Sequence, residues 1–175
     1  MTTDRTSMTV STPLPGTYRL DPDSTTIKFA VRKLGLFTIR GTMHLLDGEF
    51  TAADPIEAST VRAVVAADSF KTPVDRRDNH VKSEAFLDSA NHPTFEFTGN
   101  RVVRSGSGWT VSGTLAIHNR RKDATLLIEE LSEDGGTVRV RATAQVDRTD
   151  FGVAAMKMVI GPKIDLTIDA VASRV

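Results

Sequence analysis

The 175-residue chain has no cysteine. Disulfides, thiol nucleophiles, cysteine-held zinc and iron–sulfur clusters are therefore excluded together, although compartment is not, because many exported proteins also lack cysteine. It also lacks an excess of either charge: 22 Lys and Arg balance 22 Asp and Glu, where a nucleic-acid binder would carry a basic surplus. No DNA or RNA partner is expected. No apolar run approaches the roughly 18 residues of a membrane span, so stable membrane insertion is not expected. The first residues (MTTDRTSMTVSTPLPG) have no continuous apolar stretch and carry Asp4 and Arg5, unlike a signal peptide. The expectation is a soluble, cytoplasmic protein.

What is present suffices for one core. At this length folding buries roughly 70% of the unfolded chain's surface, so 39% apolar residues can build an interior without staples. Residues 1–16, rich in Ser, Thr and Pro, have the composition of a flexible tail, and the domain is expected over residues 17–175.

From there the apolar residues alternate with a period of two, which argues strands. Ile27, Phe29 and Val31 share one phase, followed by Phe37, Ile39, Gly41, Met43 and Leu45, with Asp47-Gly48 as a turn signal. Val61, Ala63, Val65 and Ala67 form a third run and Phe95 and Phe97 mark a fourth. Ser105 to Gly108 reads as a hairpin loop into Trp109, Val111, Gly113, Leu115 and Ile117. Leu126 and Ile128 lead to the Asp134-Gly135-Gly136 turn, after which Val138, Val140, Ala142, Ala144 and Val146 alternate with polar neighbours. Ile164, Leu166, Ile168 and Ala170 finish the pattern. With a short segment at residues 18–20 this makes eight or nine strands, joined by turns too short for parallel crossovers. The fold class is all-β and antiparallel, and the pattern alone leaves barrel and sandwich open. Two stretches break the alternation: residues 75–91, long enough for a short helix, and residues 148–162. Long loops of this kind are often functional.

The broken stretches carry motifs. Arg77-Asp78-Asn79-His80-Val81, then Phe86-Leu87-Asp88 and His92-Pro93-Thr94-Phe95, closely resemble the RDxHL…FFD…P…F signature of the YceI-like family. Gly113-Thr114-Leu115-Ala116-Ile117-His118-Asn119 is similar to that family's GxLTIHG segment, and Arg148-Thr149-Asp150-Phe151-Gly152 to its RxDFG segment. The opening from Tyr18 to Gly41 follows the same order, so the resemblance runs from about Thr17 to the C-terminus. It implies a lipocalin-like β-barrel of about eight strands that binds, transports or sequesters a long apolar ligand: a polyisoprenoid, an isoprenoid quinone or a fatty-acid-type lipid. It also implies assembly that is often a homodimer, and a binding protein and not an enzyme. An enzyme acting on a lipid-like substrate, or a structural, stress-linked protein with a filled barrel, are the other classes.

On this basis the expected ligand-binding residues are Phe29, Val31, Lys33, Phe37, Ile39, Arg77, His80, Phe86, Phe95, Phe97, Leu115, Ile117, Phe151, Met156 and Met158. Small residues in the inward phase, Gly41, Ala63, Ala67, Gly113, Ala142 and Ala144, can leave a tunnel or can fit the taper of a packed core. The chain departs from the family where histidines are common: Ser24 stands at one such place and Lys33 at another. Counted from Ile27, Phe29 and Val31, Lys33 falls inward, where its ammonium would meet an anionic head; if the strand ends before Leu34-Gly35, it points to solvent. Arg77 and His80 read either as head-group donors or as part of a structural cluster with Asp78, and an acid–base role for Asp78 and His80 lacks an accompanying nucleophile motif. Phe86, Phe151, Met156 and Met158 either form an apolar mouth or pack under the loops. His44, His80, His92 and His118 are dispersed, without metal-motif spacing, and no metal or catalytic residue is expected.

Overall fold

The computed structural model describes residues 12–106, 108–156 and 158–175. Nine strands follow the alternation: β1 (Gly16–Leu20), β2 (Thr26–Lys33), β3 (Phe37–Ala52), β4 (Thr60–Lys71), β5 (Thr94–Ser105), β6 (Gly108–Ile117), β7 (Arg120–Asp134), β8 (Thr137–Asp147) and β9 (Ile160–Arg174). One helix, α1 (Asp75–Lys82), interrupts them between β4 and β5. Every pairing is antiparallel, and the ring β3-β2-β9-β8-β7-β6-β5-β4 closes through β4 back onto β3. β1 pairs with the far halves of β3 and β9, at Thr51 and Ala172, while β2 pairs with their near halves, at Ile39 and Ile164. β1 and β2 thus share one stave, and the nine strands make an eight-stave barrel. Closure removes the exposed sheet edges that a sandwich would leave.

Strand length makes the barrel tall. β3 has 16 residues and β7 and β9 have 15 each, against a usual strand of about 5–6. One consequence corrects the sequence reading: Asp47-Gly48 is no turn, because β3 runs straight through it with a bulge in its pairing to β4 between Leu45 and Asp47. Gly48 is there for close approach, since a Cβ would stand 2.6 Å from Leu20 Cδ1 of β1. Gly113 answers a similar need, as a Cβ would collide with the Thr98 carbonyl of β5.

The two ends differ. At the far end, Tyr18, Leu20, Ile27, Leu45, Ala52, Val138 and Ala172 form a buried cluster beneath β1 and the turn Ile56–Ala58. Tyr18 is fully buried and stacks on Phe50 at 4.8 Å, and its hydroxyl donates to the Leu14 carbonyl at 2.8 Å and to Glu133 Oε1 at 3.2 Å. Burial, helped by Glu133, pushes the Tyr18 phenol above its ordinary pKa, so it stays a neutral donor. The Leu14 N–H donates to Glu133 Oε2 and Pro13 is buried, so residues 12–16, which by composition belong to a tail, are docked on this end. The remainder of that expected tail lies outside the described residues. At the near end stand the β2–β3 turn, α1 with the segment that follows it, the β6–β7 turn, and the β8–β9 connection containing the helical turn Arg148–Phe151. The α1 segment and the β8–β9 connection are the two stretches that broke the alternation, brought together over one opening.

Candidate functional site

Inward-facing residues of a small barrel either fill it or leave a cavity. Here the choice is settled by Ala63, Ala124, Ala142, Ala144 and Ala170, whose short side chains line a cavity of about 980 Å³. Its walls are Phe29, Val31 and Ile39 from β2 and β3, Val61 and Val65 from β4, Phe95 and Phe97 from β5, Val111, Leu115 and Ile117 from β6, and Leu166 and Ile168 from β9. This is near the top of the usual range for small-molecule sites, and the lining is almost wholly hydrocarbon. Gly41 and Gly113 share the phase without lining it; Gly41 is covered by the Phe29 ring.

The lining residues that carry a basic side chain all belong to the near end. Lys33 closes β2, Arg76, Arg77 and His80 lie on α1, and Arg148 begins the β8–β9 connection. Among the described residues no carboxylate lines the cavity. The alternation therefore continues to the end of β2: Lys33 is inward and half-buried, paired in register with Phe37 and Ile160, and does not turn to solvent. Lys33 and Arg77 also border a second, shallower cavity of about 550 Å³ whose lining adds Phe37 and Arg40. Neither Lys33, Arg40 nor Arg76 has an ion-pair partner among the described residues. Bringing like charges together without counter-ions is costly, and an anion at this rim relieves that cost.

The loops are held by two buried polar knots. Asp78 is 5% exposed and accepts from Thr72 N at 3.0 Å on each oxygen and from Thr72 Oγ1 at 2.6 Å, pinning α1 to the end of β4. Arg77 donates to the same Thr72 Oγ1 from Nε and Nη2, at 3.2 and 2.9 Å, which aims the guanidinium across the mouth. Asp78 is thereby consumed in positioning; its hydrogen bonds go to Thr72 and not to His80, whose exposed ring meets the Phe86 edge at 5.1 Å. The second knot is Arg148, which donates to the carbonyls of Val153, Ala155, Ile160 and Gly161 at 2.7–3.1 Å and so gathers the β8–β9 connection around one buried cation. Burial pushes its guanidinium below the ordinary arginine pKa, and the four carbonyl acceptors keep the charged form satisfied. Next to it, the Thr149 hydroxyl holds Asp147 below the usual carboxylate range.

Of the residues expected at the ligand site, Phe29, Val31, Lys33, Ile39, Arg77, His80, Phe86, Phe95, Phe97, Leu115, Ile117, Phe151 and Met156 line the main cavity. Phe37 does not: it is in phase with Ile39 but, as the first residue of β3, stands above the rim, 61% exposed, in the shallow cavity. Met158 is 93% exposed and borders neither. Phe86 and Phe151 serve both of the roles weighed for them, packing together with Val153 under the loops while closing the cavity. Sequence reasoning missed Phe70, stacked on Phe29 at 4.7 Å, and Arg148 as a lining residue; neither continues an alternation that a sequence pattern would pick up.

Comparison with known proteins agrees with this architecture. Over 138 residues the chain is 31% identical to a UPF0312 protein of Vibrio cholerae serotype O1, covering 74% of this chain and 72% of that one. It is 30% identical over 112 residues to a UPF0312 protein of Yersinia pestis, covering 62% and 58%. Among solved structures, Burkholderia cenocepacia BcnA superposes with a TM-score of 0.78 at 13% identity, over 88% of this chain and 99% of BcnA. A polyisoprenoid binding domain from Saccharophagus degradans superposes with a TM-score of 0.71 at 17% identity, over 90% and 98%. At such identities these two speak for the fold alone. The YceI-like domain, by contrast, is matched in the sequence itself over residues 18–172, from inside β1 to near the end of β9, and the chain belongs to the YceI-like family.

Proposed function

We propose that this protein binds a long-chain apolar molecule with an anionic head, and so carries or sequesters it, the tail lying along the barrel axis and the head at the near end. The observation that carries this reading is the division of one cavity: hydrocarbon along its length, and Lys33, Arg76, Arg77, His80 and Arg148 at one end with no acid among the described lining residues. A filled barrel is disfavoured by the cavity of about 980 Å³. An enzyme is disfavoured because Asp78, the acid of the only acid–base pair weighed from the sequence, is engaged by Thr72. The similar fold of the Saccharophagus degradans polyisoprenoid binding domain supports the tail's chemistry being isoprenoid or otherwise long-chain.

The test is Lys33→Met. It keeps the stem that packs against the wall and removes the ammonium. Binding of a phosphorylated or carboxylate lipid should weaken by about 1–3 kcal/mol, roughly 5- to 150-fold, the scale of a charge-assisted hydrogen bond. A lipid alcohol with the same tail should lose much less, and raising the salt should narrow the difference in the parent protein. Equal losses for the two lipids, or none for either, would remove Lys33 and the anionic head from the account while leaving the tail's site intact.

A further inference from the structure

The four histidines are scattered in sequence, yet folding brings two of them to one place with a carboxylate. Asp88 follows α1 in a backbone turn of positive φ, +46°, in which the Asp88 carbonyl accepts from the N–H of Asn91 and of His92. This puts His92 on the same side as Asp88, with His92 Nε2 at 3.9 Å from Asp88 Oδ2, too far for a hydrogen bond. His118 comes from the neighbouring strand: it follows β6, which pairs with β5 through Glu96 and Ala116, just past His92. His118 and Asn119 are the two central residues of the β6–β7 hairpin, with φ of +56° and +63°, the conformation of a type I′ turn. The His92 and His118 rings lie 4.4 Å apart, and one ligand atom each from Asp88, His92 and His118 falls within 4.8 Å of the others. A second observation is independent of that convergence: His118 Nε2 is buried and has no hydrogen-bond partner. An orphaned buried ring nitrogen costs free energy that a hydrogen bond or a metal would recover.

From this geometry we infer a binding site for a zinc-class divalent cation, held by Asp88, His92 and His118. Two imidazoles and a carboxylate form the N₂O donor set that suits zinc, with bonds of about 2.0–2.2 Å and a fourth position left for water. Binding the ion would draw these atoms closer than the present spacings of up to 4.8 Å. Asn91 Nδ2, which donates to both Asp88 oxygens at 3.1 Å, fixes the orientation of the carboxylate. The three residues lie outside the cavity lining, so the ion would be a clasp and not a head-group ligand. It would join the segment after α1 to the β6–β7 turn, two of the pieces that frame the mouth. The sequence hid this because positions 88, 92 and 118 follow no local motif; the register of β5 with β6, not the spacing, makes His92 and His118 neighbours.

The full chain, stripped with a chelator, is titrated with Zn²⁺ against a chromophoric competitor, and with Co²⁺ while its visible absorption is followed. One equivalent should bind, with an intense visible Co²⁺ band of low coordination number and a raised Tm. His92→Gln and His118→Asn should each weaken Zn²⁺ at least tenfold and abolish the band; Asn tolerates the positive φ at 118. Asp88→Asn supplies a third variant if His118→Asn does not fold, and circular dichroism identifies the folded ones. His44→Gln should bind like the parent. Binding that is not saturable at one equivalent, or that persists unchanged in folded His92→Gln and Asp88→Asn, overturns the site.

Discussion

Lengthening the tail of a ligand by four methylenes, at constant head, should tighten binding by this protein about 200-fold. The number follows from about 0.8 kcal/mol for each CH₂ taken out of water, hence about 3 kcal/mol for four. It requires that each added carbon meet hydrocarbon, which the walls provide from Phe29 and Val31 near the mouth to Leu45 and Ile27 near the closed end. A competition series of carboxylates or phosphates with growing tails measures it. The gain should stop once the tail reaches the Tyr18 cluster, because β1 and the residues docked on it seal that end. Affinity independent of tail length would mean that the tail stays outside the barrel. No head-group substitution should match this effect, since the head meets a few partly hydrated cations at the rim and the tail meets the entire wall.

The second large effect comes from obstruction. Ala142 is 3% exposed and lies midway along β8, in register with Ile128 on one side and Ile168 on the other, all three lining the cavity. Phe at 142 would project its ring across the tunnel. Filling a packed core in this way usually destabilises by about 1–3 kcal/mol, but here the ring enters the cavity and most of that strain is avoided. The variant should therefore fold, shown by circular dichroism and an unchanged or modestly lowered Tm. Its affinity for long-tailed ligands should fall by about 100-fold or more, the loss of four or so buried methylenes. Short-tailed ligands should bind nearly as before, so the tail-length series would level off early. Unaltered binding of long tails by a folded Ala142→Phe would place the ligand elsewhere.

The fold was legible because a closed barrel repeats one simple rule, inward and outward in turn, and the chain keeps it over nearly every strand. Lys33 shows how far the rule reaches: phase left it either inward at the mouth or turned to solvent, and in the fold it lies among the residues that line the cavity. Phe37 shows where it stops, for phase gives direction but not height, and the first residue of β3 stands above the rim. Asp47-Gly48 read as a turn because local chemistry cannot distinguish a glycine that bends the chain from one that lets Leu20 approach. The loops were the least legible part. Arg148 acts through carbonyls on residues 153–161, and Asp88, His92 and His118 meet only because α1's exit and the β6–β7 turn share an end of the barrel. Such contacts depend on how a loop folds back on itself and on the register of β5 with β6, neither of which an alternation of apolar residues encodes.

Mass spectrometry of the purified full chain, native and then after organic extraction, decides whether the barrel holds a long apolar molecule. The account predicts a native mass exceeding that of the polypeptide by one small molecule, and an extract containing a long-chain, isoprenoid or fatty-acid-type compound at about one per chain. A native mass equal to the polypeptide alone, an extract free of any such compound, and failure of the same protein to take up an added long-chain lipid would contradict it.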